Sequence, residues 1–290
     1  TQTKILTVNS IVMLLSNVAL NYCLIFGKGG FPAAGIAGAA IASSVSEAVS
    51  LLFFIIYTSM TADKRKYGFR RAFTLRPHLL KGMLSISGWT MVQSFISVSI
   101  WFIFFLAIEH LGERPLAVTN IVRNISALLI MVISAFATTA GALISNQIGA
   151  GEQRCLFKTC GMTLKLTYAI LIPLLIILCL FPESVLRAFT DSPSLIAASV
   201  NSVYVMASST LIMAPSFILF NAVSGTGNTR AGFIMEMISL AVYTAVIYYG
   251  IIRLKPDVAL CWFSEHVYGV TLIFLAWWYL KSGKWRGKKV

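Results

Sequence analysis

Residues 166–181, LTYAILIPLLIILCLF, hold no charged side chain and read as a segment that lies in hydrocarbon rather than in water. Seven further stretches share this character: Val8–Phe26, Gly35–Tyr57, Ile86–Ile108, Leu116–Ala140, Ala197–Phe220, Gly232–Ile252 and Val258–Leu280. Most approach the ~20 residues that a helix needs to cross a hydrocarbon core of ~30 Å. A soluble core has no use for eight such segments. With 58% hydrophobic residues, 11% charged residues and a mean hydropathy of +0.82, the composition agrees. The expectation is an all-α integral membrane protein with eight transmembrane helices.

The basic residues fall on alternate connections. One set carries Lys4, the run from Lys64 to Lys81, Arg154, Lys158, Lys165, Arg230 and the tail from Lys281 to Lys289. The other carries only Lys28, Arg114, Arg187, Arg253 and Lys255, which leaves Arg123 alone inside a span. The positive-inside rule then places both chain ends and the 61–82 loop in the cytoplasm of a bacterial-type inner (plasma) membrane. The net charge of +13 is explained by this topology, and no polar segment is long enough to form a basic nucleic-acid-binding domain. Five cysteines with no Cys-x-x-Cys pair, and only His78, His110 and His266 beside them, suit small apolar packing better than a metal site or a disulfide framework. The chain begins at Thr1 with neither a methionine nor a signal-peptide pattern, so it reads as a piece of something longer.

The 61–82 segment, TADKRKYGFRRAFTLRPHLLKG, is the one long polar connection. It separates the last two helices of a first lobe (1–60) from a second lobe (83–290) with a basic tail. Tyr67, Phe69 and Phe73 interleave its charges, which would suit anionic lipid headgroups, although a solvated linker is the simpler account. Glycines in IGAGEQ at 148–153 and GTGNTR at 225–230 permit tight turns between helices. A loose internal echo sets Ser46-Glu47 against Ser264-Glu265, each following a tyrosine, a glycine and a proline.

Four motifs in register carry a family resemblance. They are Asn17-x-x-x-Asn21 followed by LIFGKGGFPAAGIAGAAIAS at 24–43, ALISNQIGAGE at 142–152, SGTGNTR at 224–230 and SGKW at 282–285. Together they resemble the multidrug and toxic compound extrusion (MATE) transporters, covering helices five to twelve of twelve. The resemblance implies two six-helix lobes flanking a cavity, with the first four helices lying outside this sequence. It also implies a first-lobe cation site to which Asn17, Asn21 and Ser43 correspond. Where some family members place cavity carboxylates on the seventh and tenth helices, this chain has Ser97 and Pro215, which argues against a second-lobe coupling site.

Charges inside a span cost several kcal/mol unless paired or wetted, so each is a functional candidate. Glu47 lies one helical turn beyond Ser43, and with Asn17 and Asn21 it offers oxygen ligands for Na⁺ or hydronium. Glue between helices is the plainer role for the same groups. Arg123 and Glu265 lie at similar depth, each ~10 Å from the end of its span, and are expected to form a buried ion pair or to face substrate. Asn120 and Asn124 flank Arg123 on one face, which would border the cavity or that pair. Glu236 is only about a turn and a half from the end of its span and is expected to be wetted. Pro173 and Pro215 would permit bending, and Trp101, Phe102, Phe104 and Phe105 would face lipid or stack on a ligand.

The expected function is secondary active efflux of amphipathic, often cationic, small molecules in exchange for Na⁺ or H⁺, with no cofactor and no metal beyond Na⁺. Neutralising a carboxylate in a low-dielectric cavity would change which face of the cavity is favoured. The alternatives are a flippase for a lipid-linked saccharide, which should need more cavity cations than Arg123, a nonfunctional fragment, and a membrane enzyme. No nucleophile motif or carboxylate pair at catalytic spacing supports the last, so no catalytic residue is assigned.

Overall fold

The structure, a computed structural model, describes residues 3–61, 77–283 and Trp285. Most of the basic linker, 62–76, lies outside the described residues. Among the described residues, eight helical segments are long and apolar enough to cross a membrane, and the protein is an all-α integral membrane protein. The chain divides into two compact units, Thr1–Pro77 and His78–Val290.

In the first unit, α1 (Thr3–Phe26) and α2 (Gly35–Thr61) form a hairpin. Gly38 faces α1 so closely that an added Cβ would lie 2.5 Å from the Leu24 carbonyl oxygen. Ala42 and Ser46, each one turn further along, continue this buried small-residue stripe. Beyond it, the Asn9 amide donates to Ser50 Oγ at 2.7 Å and ties the helices together near their far ends. At the connection, Gly27 adopts φ 67°, and a Cβ there would meet the Ala33 nitrogen at 2.9 Å, so glycine is required twice over.

The second unit is built on α4 (Glu113–Gly149) crossing α7 (Pro193–Gly225). Around them lie α3 (Pro77–Glu109), α5 (Leu156–Leu180), the short α6 (Pro182–Leu186), α8 (Thr229–Val246), the short α9 (Val258–Cys261) and α10 (Ser264–Ser282). A π-helical turn, Ile247–Arg253, completes the span begun by α8. The α4–α7 crossing is backbone on backbone: a Cβ on Gly225 would strike the Gly141 carbonyl oxygen, and one on Gly141 would sit 2.9 Å from the Asn221 oxygen. One apolar core joins Phe104, Ile108, Met206, Tyr243 and Trp262; a second joins Ile144, Ile218, Leu272 and Leu280.

Helices run further than the apolar stretches suggested. α3 starts at Pro77, inside the segment read as linker, and α5 starts at Leu156, ten residues before the uncharged run. Backbone hydrogen bonding continues through the polar residues at helix ends, which hydropathy cannot register. Phe104 is 1% exposed and packs on Phe105, Tyr243 and Trp262, so it is core and does not face lipid. Both prolines lie within continuous helices. Pro215 has no N–H for the Leu211 carbonyl, and the Tyr168 hydroxyl of α5 donates to that oxygen instead, at 2.8 Å. Cys160 and Cys261 are buried, Cys179 is exposed, and all five cysteines are free thiols.

Candidate functional site

A pocket of about 250 Å³ opens within the second unit, lined by residues of α3, α4, α7, α8 and α10. Its walls are mostly apolar and aromatic, including Trp101, Met213, Phe217 and Leu240. Its polar groups are Glu236, Glu265, Tyr243, Tyr268 and Ser97.

Helical periodicity puts these groups together. On α8, Tyr243 follows Glu236 by seven residues, and on α10, Tyr268 follows Glu265 by three, so each helix shows a glutamate and a tyrosine on one face. The two helices then pair crosswise. The Tyr268 hydroxyl donates to Glu236 Oε1 at 2.9 Å, and the Tyr243 hydroxyl donates to Glu265 Oε1 at 2.9 Å. The tyrosine rings lie edge to face, with centroids 5.8 Å apart. From α3, Ser97 Oγ also donates to Glu236 Oε1, at 2.9 Å. Hydrogen bonds to a charged acceptor are worth about 1.5–3 kcal/mol each, which offsets part of the cost of burying a carboxylate.

Glu236 is therefore not wetted at a helix end. It lies seven residues into α8 and is 4% exposed. Ser97 also bonds the Gln93 carbonyl of its own helix, at 2.9 Å. A hydroxyl has one proton and two lone pairs, so Ser97 can donate to an ionised Glu236, or donate to Gln93 while accepting from a protonated one. The site can thus hold this carboxyl in either state without orphaning a polar group.

The anticipated ion pair between Arg123 and Glu265 is not formed. The Arg123 guanidinium lies over Phe105 at 5.1 Å and Trp101 at 5.7 Å from the ring centroids, while Glu265 is bonded to Tyr243. Counting residues along two helices gives depth but not azimuth, and here the azimuths differ. Asn120 is half-buried and Asn124 exposed on the same stretch of α4.

In the first unit, the Asn21 amide donates to Asn17 Oδ1 at 2.8 Å, and Asn21 Oδ1 remains buried without a partner. That unfilled acceptor suits a cation. Ser43 and Glu47 share an exposed face of α2, each one residue on from the Ala42–Ser46 stripe that meets α1. The two asparagines meet because they are one turn apart on α1, and neither forms a hydrogen bond to Ser43 or Glu47.

A family model described as MatE matches residues 90–249. The chain belongs to the MatE family. Membership sets aside the membrane-enzyme alternative, because MatE proteins are transporters. The probable multidrug resistance protein NorM of Thermotoga maritima is 25% identical over 291 residues, covering 94% of this chain and 59% of that protein. The uncharacterized transporter YisQ of Bacillus subtilis is 25% identical over 243 residues, covering 80% of this chain and 50% of its own. The chain thus spans half to three-fifths of these relatives' lengths. Among solved structures, an outward-facing multidrug resistance MATE family transporter matches with a TM-score of 0.82 at 16% identity, over 95% of this chain and 61% of that one. The MATE transporter ClbM in complex with Rb⁺ matches with a TM-score of 0.75 at 19% identity, over 97% and 62%. These likenesses show that the MatE fold runs through both units.

The sequence names Glu236 and Glu265 as candidates in the second lobe, while Ser97 and Pro215 argue there only against a coupling carboxylate; the pairing of the glutamates with Tyr268 and Tyr243 goes unread. The glutamate–tyrosine spacings on α8 and α10 were the available signal.

Proposed function

We propose that this chain is part of a secondary multidrug efflux transporter that exports amphipathic, often cationic, compounds in exchange for Na⁺ or H⁺. The observation that carries the reading is the cross-paired pocket, where two carboxylates and two tyrosines converge among apolar walls. Aromatic faces and carboxylates attract a cation, while the apolar lining takes up its hydrocarbon. Similarity to the NorM proteins, described as probable multidrug resistance proteins, supports the multidrug assignment.

Coupling is assigned to both units. Asn17 and Asn21, with Ser43 and Glu47 on the neighbouring helix, form the first-unit cation site, completed by the four helices that lie upstream in the family. In the second unit, Glu236 exchanges a proton or Na⁺ as substrate enters, and Glu265 contacts the substrate's positive charge. Protonation or ion binding removes charge from a low-dielectric site and so shifts the equilibrium between conformations. The charge distribution supports cytoplasmic chain ends, with export directed away from the basic linker. Small molecules and membrane lipid are the partners.

The test is efflux of a fluorescent cationic dye from proteoliposomes holding the protein as encoded, with any sequence that precedes Thr1. A Na⁺ gradient and a proton gradient are imposed separately. Gradient-driven efflux is expected in one of them, with at least a tenfold loss in Asn21→Ala and Glu47→Gln. A wild type that moves dye under neither gradient overturns the antiport reading. Wild-type rates in both variants would remove the first-unit site while leaving the function.

A further inference from the structure

We propose that Arg123, with Asn120 and Asn124, forms a subsite for an oxyanion, a carboxylate or phosphate borne by the transported compound beside its positive charge. The oxyanion chemistry stands on geometry alone; its assignment to a transported compound rests on the efflux reading above.

Cost is the starting point. A guanidinium inside a span needs a counter-charge, yet the glutamates on neighbouring helices are bonded elsewhere. Glu265 accepts from Tyr243, and Glu236 accepts from Ser97 and Tyr268. Among the described residues Arg123 has no ion-pair partner, and its Nε is buried with no hydrogen-bond partner. Its contacts are the rings of Phe105 and Trp101. Such contacts engage the guanidinium's charge and use none of its N–H donors as hydrogen bonds.

The neighbours add donors of the same kind. Asn120 and Asn124 are one turn apart on α4 and straddle Arg123 in sequence, and neither amide hydrogen-bonds within the described structure. The planar fork matches the bidentate geometry of a carboxylate or phosphate, and the two amides offer further donors on the same stretch of α4. Trp101 joins this group to the pocket, since the indole that Arg123 lies against also lines the cavity holding Glu236 and Glu265. Opposite charges thus flank one aromatic side chain. A compound stretched along Trp101 would place an ammonium by the glutamates and an oxyanion by Arg123, so the selected class is zwitterionic and aromatic.

The test measures equilibrium binding to the protein as encoded, using aromatic amines with and without an appended carboxylate. Wild type is expected to favour the carboxylate-bearing member. Arg123→Gln should lower that affinity ratio about tenfold, and Arg123→Lys, which keeps charge without the fork, should fall between. A parallel arm compares vesicles of phosphatidylcholine alone with vesicles containing phosphatidylglycerol. If Arg123→Gln changes only the dependence on phosphatidylglycerol, the oxyanion comes from lipid and the compound-borne form is overturned. Unchanged ratios in both arms overturn the subsite itself. A wild type that binds neither amine sinks the multidrug reading, and the lipid arm then decides the subsite alone. Should Arg123→Gln fail to fold, Asn124→Leu on the exposed face carries the same ratio measurement.

Discussion

Glu236→Gln is expected to weaken binding of a cationic dye by about ten- to a hundredfold, the range set by losing charge-assisted contacts in a desolvated site. The substitution keeps the shape and leaves an oxygen for Ser97 and Tyr268, so the loss reads charge rather than packing. Glu265→Gln should act similarly. Because both carboxylates line one pocket, the double variant should lose less than the two single losses combined. Fluorescence titration in detergent checks all three. Dye affinity unchanged in Glu236→Gln would mean that this carboxyl is a structural tie between α3, α8 and α10 and nothing more.

Gly225→Val should destabilise the second unit by about 3 kcal/mol, the upper part of the overpacking range. Its new Cβ would meet the Gly141 carbonyl oxygen, a backbone atom that cannot swing aside without separating α4 from α7. Gly161→Ala is the matched control: nothing lies within 4 Å of that Cβ, and the exchange should gain about 0.5–1 kcal/mol through helix propensity. Thermal unfolding in detergent, followed by intrinsic fluorescence, separates the two. Equal midpoints for Gly225→Val and wild type would show that the crossing has slack.

Hydropathy made the spans legible because burial in lipid imposes one simple requirement on some twenty consecutive side chains. The motif SGTGNTR was legible too, but its reason was not, since Gly225 answers to Gly141, 84 positions earlier. In the candidate site Glu236 and Glu265 were legible as charges inside spans, but their partners were not. Reading Ser97 as the absence of a carboxylate treated each helix separately, whereas the carboxyl beside it comes from Glu236, 139 positions away. Residue counting set Arg123 level with Glu265, yet helix rotation carried the guanidinium to Trp101 and Phe105. Local rules recover depth and period; which faces meet is decided by packing among all the helices at once.

The tyrosine that stands in for a missing amide has a consequence for how α7 can move. An ordinary helix that bends must stretch its own hydrogen bonds, and in hydrocarbon nothing replaces them. At Leu211 the acceptor is already served from outside, by Tyr168 of a neighbouring helix, and the bond that a bend would break is one Pro215 never made. At this turn α7 therefore has one backbone hydrogen bond fewer and a tie to α5 in its place. A bend there would spare the backbone at Leu211 but would have to carry the Tyr168 phenol along or break its bond, which ties any flexing of this helix to α5.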